Sequence, residues 1–486
     1  MPWWPTMRGA GHTAAIVLRR AVALVIVLIV CAGCADEPAR APDVIVVVVI
    51  DTLRADRLGC YGNERGLTPF LDSLASRGVV FENAYAPSPW TNPSVASLLA
   101  SQHVTQHGVE TLESVLAKDV VTLPEVLQAH GWATAGYSAN PALSRQLGFA
   151  QGFRKYRNLP PSSSEGMMAR AARAPAINRA ALRWLDELPA HPRPAVFLYL
   201  QYMEPHTPYV PSAALVDEFF SGGAIPDAER ANRYMLDLGD VPADVLRDIN
   251  NLYDVEVLAA DRGVRELFDE LERRRLLEHA LVVVTSDHGE GLGDHGFLTH
   301  GSTLYNAAIR IPLIVVPPGA SKGRRVADVV SLVDIAPTIL EHVGVGAPDS
   351  FVGDSLVSHL QSRNGLSWLS SLVARPHVPR GTTVSELLQR PFGTPRRENG
   401  HVRALIDGSH KLIARRDSDP ELYDLRVDPA ETHPHALGPA RRAELEKTLA
   451  DLVDRWSHSA DAGAADTVEL PAEIEETLRA LGYGRE

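Results

Sequence analysis

Apolar positions in this chain fall into short blocks that alternate between two periodicities. Val44-Ile45-Val46-Val47-Val48-Val49-Ile50 is an unbroken β-branched run closed by Asp51. A run with no polar alternation predicts a strand buried on both faces, as in a parallel sheet covered by helices. Leu67 to Arg77 follows with helical spacing, then a short strand at Val79 to Tyr85. The alternation continues through a helix at Leu123 to His130 and strands at Ala133 to Tyr137 and Ala195 to Tyr202. A long helix is predicted at Tyr253 to Leu271, and a second buried strand, Ala280 to Ser286, runs into Asp287 and His288. Ile311 to Val316 reads as another strand and Asp334 to Val343 as a helix. Strands alternating with helices predict an α/β domain, a mostly parallel sheet with helices on both faces. After about residue 370 the texture shifts. Thr382 to Leu388, Val402 to Asp407 and Lys411 to Arg415 read as short antiparallel strands, followed by helices at Pro439 to Trp456 and Ala472 to Leu481. The expected organisation is a catalytic-sized domain over 43–375 and a smaller C-terminal α+β domain over 376–486. Stretches such as 160–175 and 211–245 carry no pattern and read as loops.

The first 34 residues have a different logic. Arg8, Arg19 and Arg20 precede the apolar run Ala21 to Val30, and Cys31-Ala32-Gly33-Cys34 ends it with small residues. The run is shorter than the roughly 20 residues that span a bilayer, so 1–34 reads as a secretory signal. It resembles a bacterial lipoprotein signal, with cleavage before Cys34 and lipidation of its thiol. A plain signal peptide and an uncleaved anchor remain open. Each places the protein outside the cytoplasm, in a bacterial periplasm or at a cell surface, with membrane attachment through an N-terminal lipid or anchor. Residues 35–42 read as a linker. A formal net charge of −13 removes the basic field that would hold nucleic acid as a partner. Three cysteines, two of them inside the signal, cannot build a disulfide scaffold.

Candidate chemistry gathers at strand ends. In open α/β sheets the carboxyl ends of strands border the ligand crevice, and two buried runs end there in Asp51 and Asp287, with His288 next. Two carboxylates and an imidazole make a donor set for a divalent cation of mixed O/N preference. Buried carboxylates are otherwise expensive. Between them lies Trp90-Thr91-Asn92-Pro93-Ser94. Pro93 suits the first turn of a helix, which places Thr91 at or just before the N-terminus. Unpaired N–H groups and the helix dipole favour an anion there, and a hydroxyl beside a metal can become a nucleophile. A plain N-cap is the alternative for Thr91.

The motifs resemble the sulfatases of the alkaline phosphatase superfamily. They include Asp51-Thr52-Leu53-Arg54, Trp90-Thr91-x-Pro93-Ser94, Glu204-Pro205-His206-Thr207-Pro208, Thr285-Ser286-Asp287-His288-Gly289-Glu290, His300-Gly301 and Leu422-Tyr423-Asp424-Leu425. Order and spacing agree from residue 43 to the end. The resemblance implies an alkaline-phosphatase-like fold with Asp51, Thr91, Asp287 and His288 as ligands of one divalent metal. Thr91 would be the nucleophile, and His206 and His300 would contact the transferred group or protonate the leaving oxygen. His107, His295 and Arg54 are expected to be structural. The chain departs from the family at several points. Thr91 stands where sulfatases carry the Cys or Ser that is oxidised to formylglycine, and Val95 stands where they carry Arg. Thr52 also replaces a second aspartate, and the added imidazole of His288 favours Mn²⁺ or Zn²⁺ over Ca²⁺. The implied function is a metal-dependent hydrolase or transferase of phosphate or sulfate esters, on a small-molecule, glycan or lipid substrate. A sulfatase of unknown substrate and an idle glycan-binding lipoprotein are the alternatives.

Overall fold

The computed structural model describes residues 43–159, 173–221, 223–237, 240–360, 379, 381–388, 401–416, 418–434, 438–458 and 465–481. The signal, the linker and the terminal Gly482-Tyr483 lie outside the described residues. The chain divides into two units, Met1–Ala41 and Pro42–Glu486; the architecture below belongs to the second.

Nine strands form the larger sheet: β1 (Val44–Ile50), β2 (Val79–Tyr85), β3 (Ala133–Ser138), β4 (Lys155–Asn158), β5 (Val196–Tyr202), β6 (Ala280–Thr285), β7 (Arg310–Ile311), β8 (Leu313–Val316) and β9 (Arg324–Ser331). Their order is β4-β3-β5-β1-β6-β8-β2-β7, with β9 on β2. The apolar run of β1 is explained by its place at the centre, parallel to β5 on one side and to β6 on the other. All seven of its residues are buried. Burying a Val or Ile side chain is worth about 1.5–3 kcal/mol, so this strand alone anchors much of the core. The sheet is mostly parallel, as expected, and turns antiparallel where β8 meets β6 and β2.

A separate antiparallel sheet follows, in the order β10 (Thr382–Leu387), β11 (Val402–Asp407), β12 (His410–Arg415) and β13 (Ser418–Asp424). Alternation gives it two working faces. Val384, Leu405, Leu412 and Leu422 form one cross-strand row and pack on Leu445, Leu449, Leu452 and Trp456 of the helix Pro439–Ser457. Their neighbours Ala404, Ile406 and Ile413 join the main core. The sheet meets the segment leading to Trp90: Glu386 N–H donates to the Pro87 carbonyl (2.7 Å) and Ser385 Oγ to that of Ala86 (2.6 Å).

Several boundaries differ from the sequence reading. The long helix runs from Ala243 to Arg273, because Val245, Ile249 and Leu252 continue its buried stripe beyond the Asn250-Asn251 pair. The expected strand at 311–316 is two pieces. Pro312 has no N–H to give a ladder, and β7 pairs β2 while β8 pairs both β6 and β2. The stretch 211–245 is not loop: it holds helices at Ala213–Phe219 and Ala228–Asp237 and the start of the long one. Strands β4 and β9 were missed because charged residues interrupt them (KYRN and RRVADVVS).

Candidate active site

The parallel register of β5, β1 and β6 sets the geometry. Val49 is level with Gln201 on one side and Thr285 on the other. The residues that follow β1 and β6 therefore emerge together at the carboxyl edge of the sheet. Asp51, Asp287 and His288 come together there, each with a donor atom within 4.8 Å of the others, all buried; among the described residues they are the group of His, Cys, Asp and Glu side chains that could hold a metal.

The donor set can be tested atom by atom. His288 Nδ1 lies 2.9 Å from the Gly289 carbonyl. A carbonyl only accepts, so Nδ1 carries the proton and the Nε2 lone pair faces the site. Nε2 is 3.6 Å from Asp51 Oδ1 and 3.8 Å from Asp287 Oδ2. Burial pushes this imidazole down to about 3, so it is neutral and these approaches are not ion pairs. Asp51 Oδ1 is buried without a hydrogen-bond partner. Burial, then the like charge of Asp287, hold the Asp51 carboxyl well above the usual range. Two buried carboxylates and the Nε2 lone pair of His288 thus face one another, an arrangement in which burial disfavours a second negative charge. A divalent cation would reconcile that arrangement, and the residues present fit one.

Thr91 is the first residue of the helix Thr91–Ala100, with Trp90 in an extended conformation as its N-cap. The hydroxyl is thus not the N-cap. Its Oγ1 lies 3.2 Å from His288 Nε2 and accepts from Asn140 Nδ2 (3.3 Å). Val95 is buried in the core, so the position that holds arginine in sulfatases packs with apolar neighbours here. Thr52 does not join the group, because its hydroxyl turns back to the Asp51 carbonyl (2.7 Å). Its backbone adopts φ of 57°, rare for a β-branched residue and worth about 1–3 kcal/mol of strain. That turn aims Thr52 N–H at Asp287 Oδ1 (3.3 Å).

The two other predicted histidines sit beside the group. The His300 ring centroid is 4.6 Å from that of His288 and 4.8 Å from that of His206. His300 Nδ1 faces both oxygens of Glu290, at 3.2 and 3.3 Å. Burial pushes Glu290 up to about 8 and His300 down to about 3. His206 is also pushed down, by burial first and then by His300, and its Nδ1 is hydrogen-bonded to the Thr207 carbonyl.

Arg54, His107 and His295 do not face the group. Arg54 donates to the carbonyls of Glu290 and Gly291 (3.1 and 3.3 Å) and pairs with Asp56 and Asp294. His107 binds Ser97 Oγ (2.9 Å) and the Val109 N–H (3.1 Å). His295 stacks on Tyr305 at 3.6 Å.

Three site residues escaped the sequence reading. Asn140 Nδ2 reaches Asp51 Oδ2 (2.7 Å) as well as Thr91. Gln201 Nε2 reaches Asp287 Oδ2 (2.9 Å), and Glu290 stands behind His300. Signals for two of them existed: Gln201 is an uncharged polar residue inside an otherwise apolar strand, and Asn140 stands two residues beyond the end of another.

Comparison with known proteins is consistent with this geometry. Residues 43–345 match the family model described as Sulfatase. Arylsulfatase K of Xenopus laevis is 26% identical over 446 residues, covering 80% of this chain and 79% of the relative. A structure solved in complex with its substrate D-glucosamine-2-N,6-O-disulfate superposes with a TM-score of 0.69 at 20% identity, over 87% of this chain and 99% of that one. The phosphonate monoester hydrolase of Silicibacter pomeroyi superposes with a TM-score of 0.66 at 22% identity, over 86% of this chain and 96% of that one.

Proposed function

The chain belongs to the sulfatase family, and from that membership and the site geometry we propose a metal-dependent hydrolase or transferase of phosphate or sulfate esters whose nucleophile is Thr91. One observation carries this reading: the Thr91 hydroxyl lies 3.2 Å from His288 Nε2, at the edge of the buried Asp51, Asp287 and His288 group. A divalent cation held by those residues, of the Mn²⁺, Zn²⁺ or Ca²⁺ kind, would make the neighbouring hydroxyl acidic and draw charge from the ester oxygens. The chain's own groups do the rest. Asn140 holds Thr91 Oγ1 and Asp51 together, and the N-terminus of the helix Thr91–Ala100 faces the anionic ester. Thr91 Oγ1 bonds to phosphorus or sulfur as the bond to the leaving oxygen breaks. His206 or His300, both neutral because burial lowers them, takes the proton that Thr91 gives up and passes it to that oxygen, and water or an acceptor alcohol then cleaves the threonyl ester. Formylglycine chemistry is disfavoured because threonine would oxidise to a ketone, and because Val95 occupies the arginine position.

A second reading, hydrolysis of a sulfate ester specifically, is favoured by the match to Arylsulfatase K. The segment 1–34 supports export, with lipid attachment at Cys34. The substrate would then be a small-molecule, glycan or lipid ester met outside the cytoplasm.

The test is turnover of aryl sulfate, aryl phosphate monoester and aryl phosphate diester, each with added Mn²⁺, Zn²⁺ or Ca²⁺, by the wild type and Thr91→Ala. Turnover that disappears with Thr91→Ala supports the reading, and the ester turned over fastest decides between the two versions. Turnover that survives the substitution removes Thr91 as nucleophile.

A further inference from the structure

His206 lies on a segment without regular structure between β5 and the helix Ala213–Phe219, yet the backbone around it is gripped by side chains from three distant elements. Asn232, on the helix Ala228–Asp237, accepts from Tyr209 N–H (2.7 Å) and donates from Nδ2 to the Tyr209 carbonyl (2.8 Å). One amide thus satisfies both polar groups of one residue. The next residue is held in the same way by an ion pair. Glu256 Oε1, from the helix Ala243–Arg273, accepts from Val210 N–H (3.0 Å), and Arg173 donates to the Val210 carbonyl. Arg173 and Glu256 are themselves joined by two parallel hydrogen bonds of 2.8 and 2.9 Å. On the other side of His206, the Glu204 carboxyl accepts from Ala174 N–H at 3.1 and 3.3 Å. Asn232 and Glu256 are each 2% exposed.

Buried backbone groups need partners, but a strand or a turn would have met that need locally. Here Arg173 and Asn232 come from the stretches 160–175 and 211–245, which carry no sequence pattern, and Glu256 from the helix Ala243–Arg273. Reaction rates respond to displacements of about 1 Å in a group that contacts the reacting atoms. We propose that Asn232 and the Arg173–Glu256 pair are positioning residues that fix His206 against the transferred group, so that the peripheral helices set the placement of a catalytic side chain. The inference rests on the reading of His206 as a residue that contacts that group.

A double-mutant cycle tests it. Asn232→Ala and Glu256→Gln would each be made in the wild type and in His206→Ala, and followed by turnover of an aryl ester and by vanadate binding with added Mn²⁺. Glu256→Gln keeps the side-chain shape and one accepting oxygen, and so guards against a variant that fails to fold. Each single substitution is expected to lower kcat roughly 10- to 100-fold and to weaken vanadate binding, with little change in melting temperature. In the His206→Ala background neither is expected to lower them further. Losses that add to that of His206→Ala, or single variants that match the wild type, would overturn the inference while leaving the role of Thr91 intact. Turnover retained by Thr91→Ala would remove the proposed nucleophile instead, and the vanadate arm would still report on His206.

Discussion

Replacing Asp51 by asparagine separates the cost of the buried carboxylates from the gain of a bound cation. Asp51 is fully buried, Oδ1 has no hydrogen-bond partner, and Asp287 faces it as a like charge. In metal-free protein an unpaired buried acceptor costs about 1–3 kcal/mol. An asparagine there keeps the bond from Asn140 and removes the charge, so Asp51→Asn should be more stable than the wild type by about that amount in chelator. A cation that binds only the folded state adds about 4 kcal/mol at a thousandfold excess over its Kd. Scaling the entropy of unfolding with chain length gives about 1 °C in Tm per kcal/mol for a unit of this size. Wild type should therefore gain roughly 4 °C on adding cation, and Asp51→Asn should gain little. The two proteins should thus change order between EDTA and Mn²⁺ or Zn²⁺, a crossing that scanning calorimetry at neutral pH can resolve. An Asp51→Asn protein less stable than wild type in EDTA, or one with an undiminished cation response, would mean, respectively, that Asp51 does not destabilise the cation-free fold or does not hold the cation.

Asn140→Ala should reduce turnover about 10- to 100-fold, the range found for partners that orient metal ligands, while Tm in chelator changes little; steady-state kinetics on the preferred aryl ester checks this. Acid should destabilise the fold partly through His103 and His107, which burial pushes down to about 4 and about 3. Because these folded values lie below the unfolded one, the stability they contribute is complete above about pH 6.5 and falls by about 1.4 kcal/mol per pH unit per histidine below it. His107→Gln should make the loss of stability between pH 6 and 4 shallower, as urea unfolding at several pH values would show. Glu431→Ala should cost about 3–5 kcal/mol, since it leaves the fully buried Lys411 without its carboxylate at 2.5 Å; the same unfolding experiment at pH 7 measures it.

The clustering of Asp51, Asp287 and His288 was readable because its physics is local. A strand buried on both faces has to be apolar, so an aspartate closing each of two such runs stood out, and parallel order brings carboxyl ends to one edge. The orienting residues were harder to see. Asn140 acts only because β3 lies beside β5, a neighbour relation that no periodicity encodes. Glu290 follows His288 so closely that its own bond, to His300, was hidden behind the motif. The helices at 213–219 and 228–237 were missed because their burial is partial. Asn232 is a polar residue turned inward to serve another segment's backbone, and it looks like surface in one dimension. The second sheet was legible in three of its four strands. The fourth, Ser418–Asp424, is polar for most of its length and is recognised by its pairing with β12.

In the proposed mechanism Thr91 becomes covalently attached to the group it transfers. Rapid quenching of the cation-loaded protein during turnover of the preferred aryl ester, followed by mass spectrometry of the peptide spanning residues 88–100, reads this directly. A phosphoryl or sulfuryl adduct on unmodified Thr91 is expected, forming within one turnover and absent from Thr91→Ala. Turnover that leaves this peptide unlabelled while His206 or His300 carries the adduct, or that requires an oxidised residue at position 91, would contradict that mechanism.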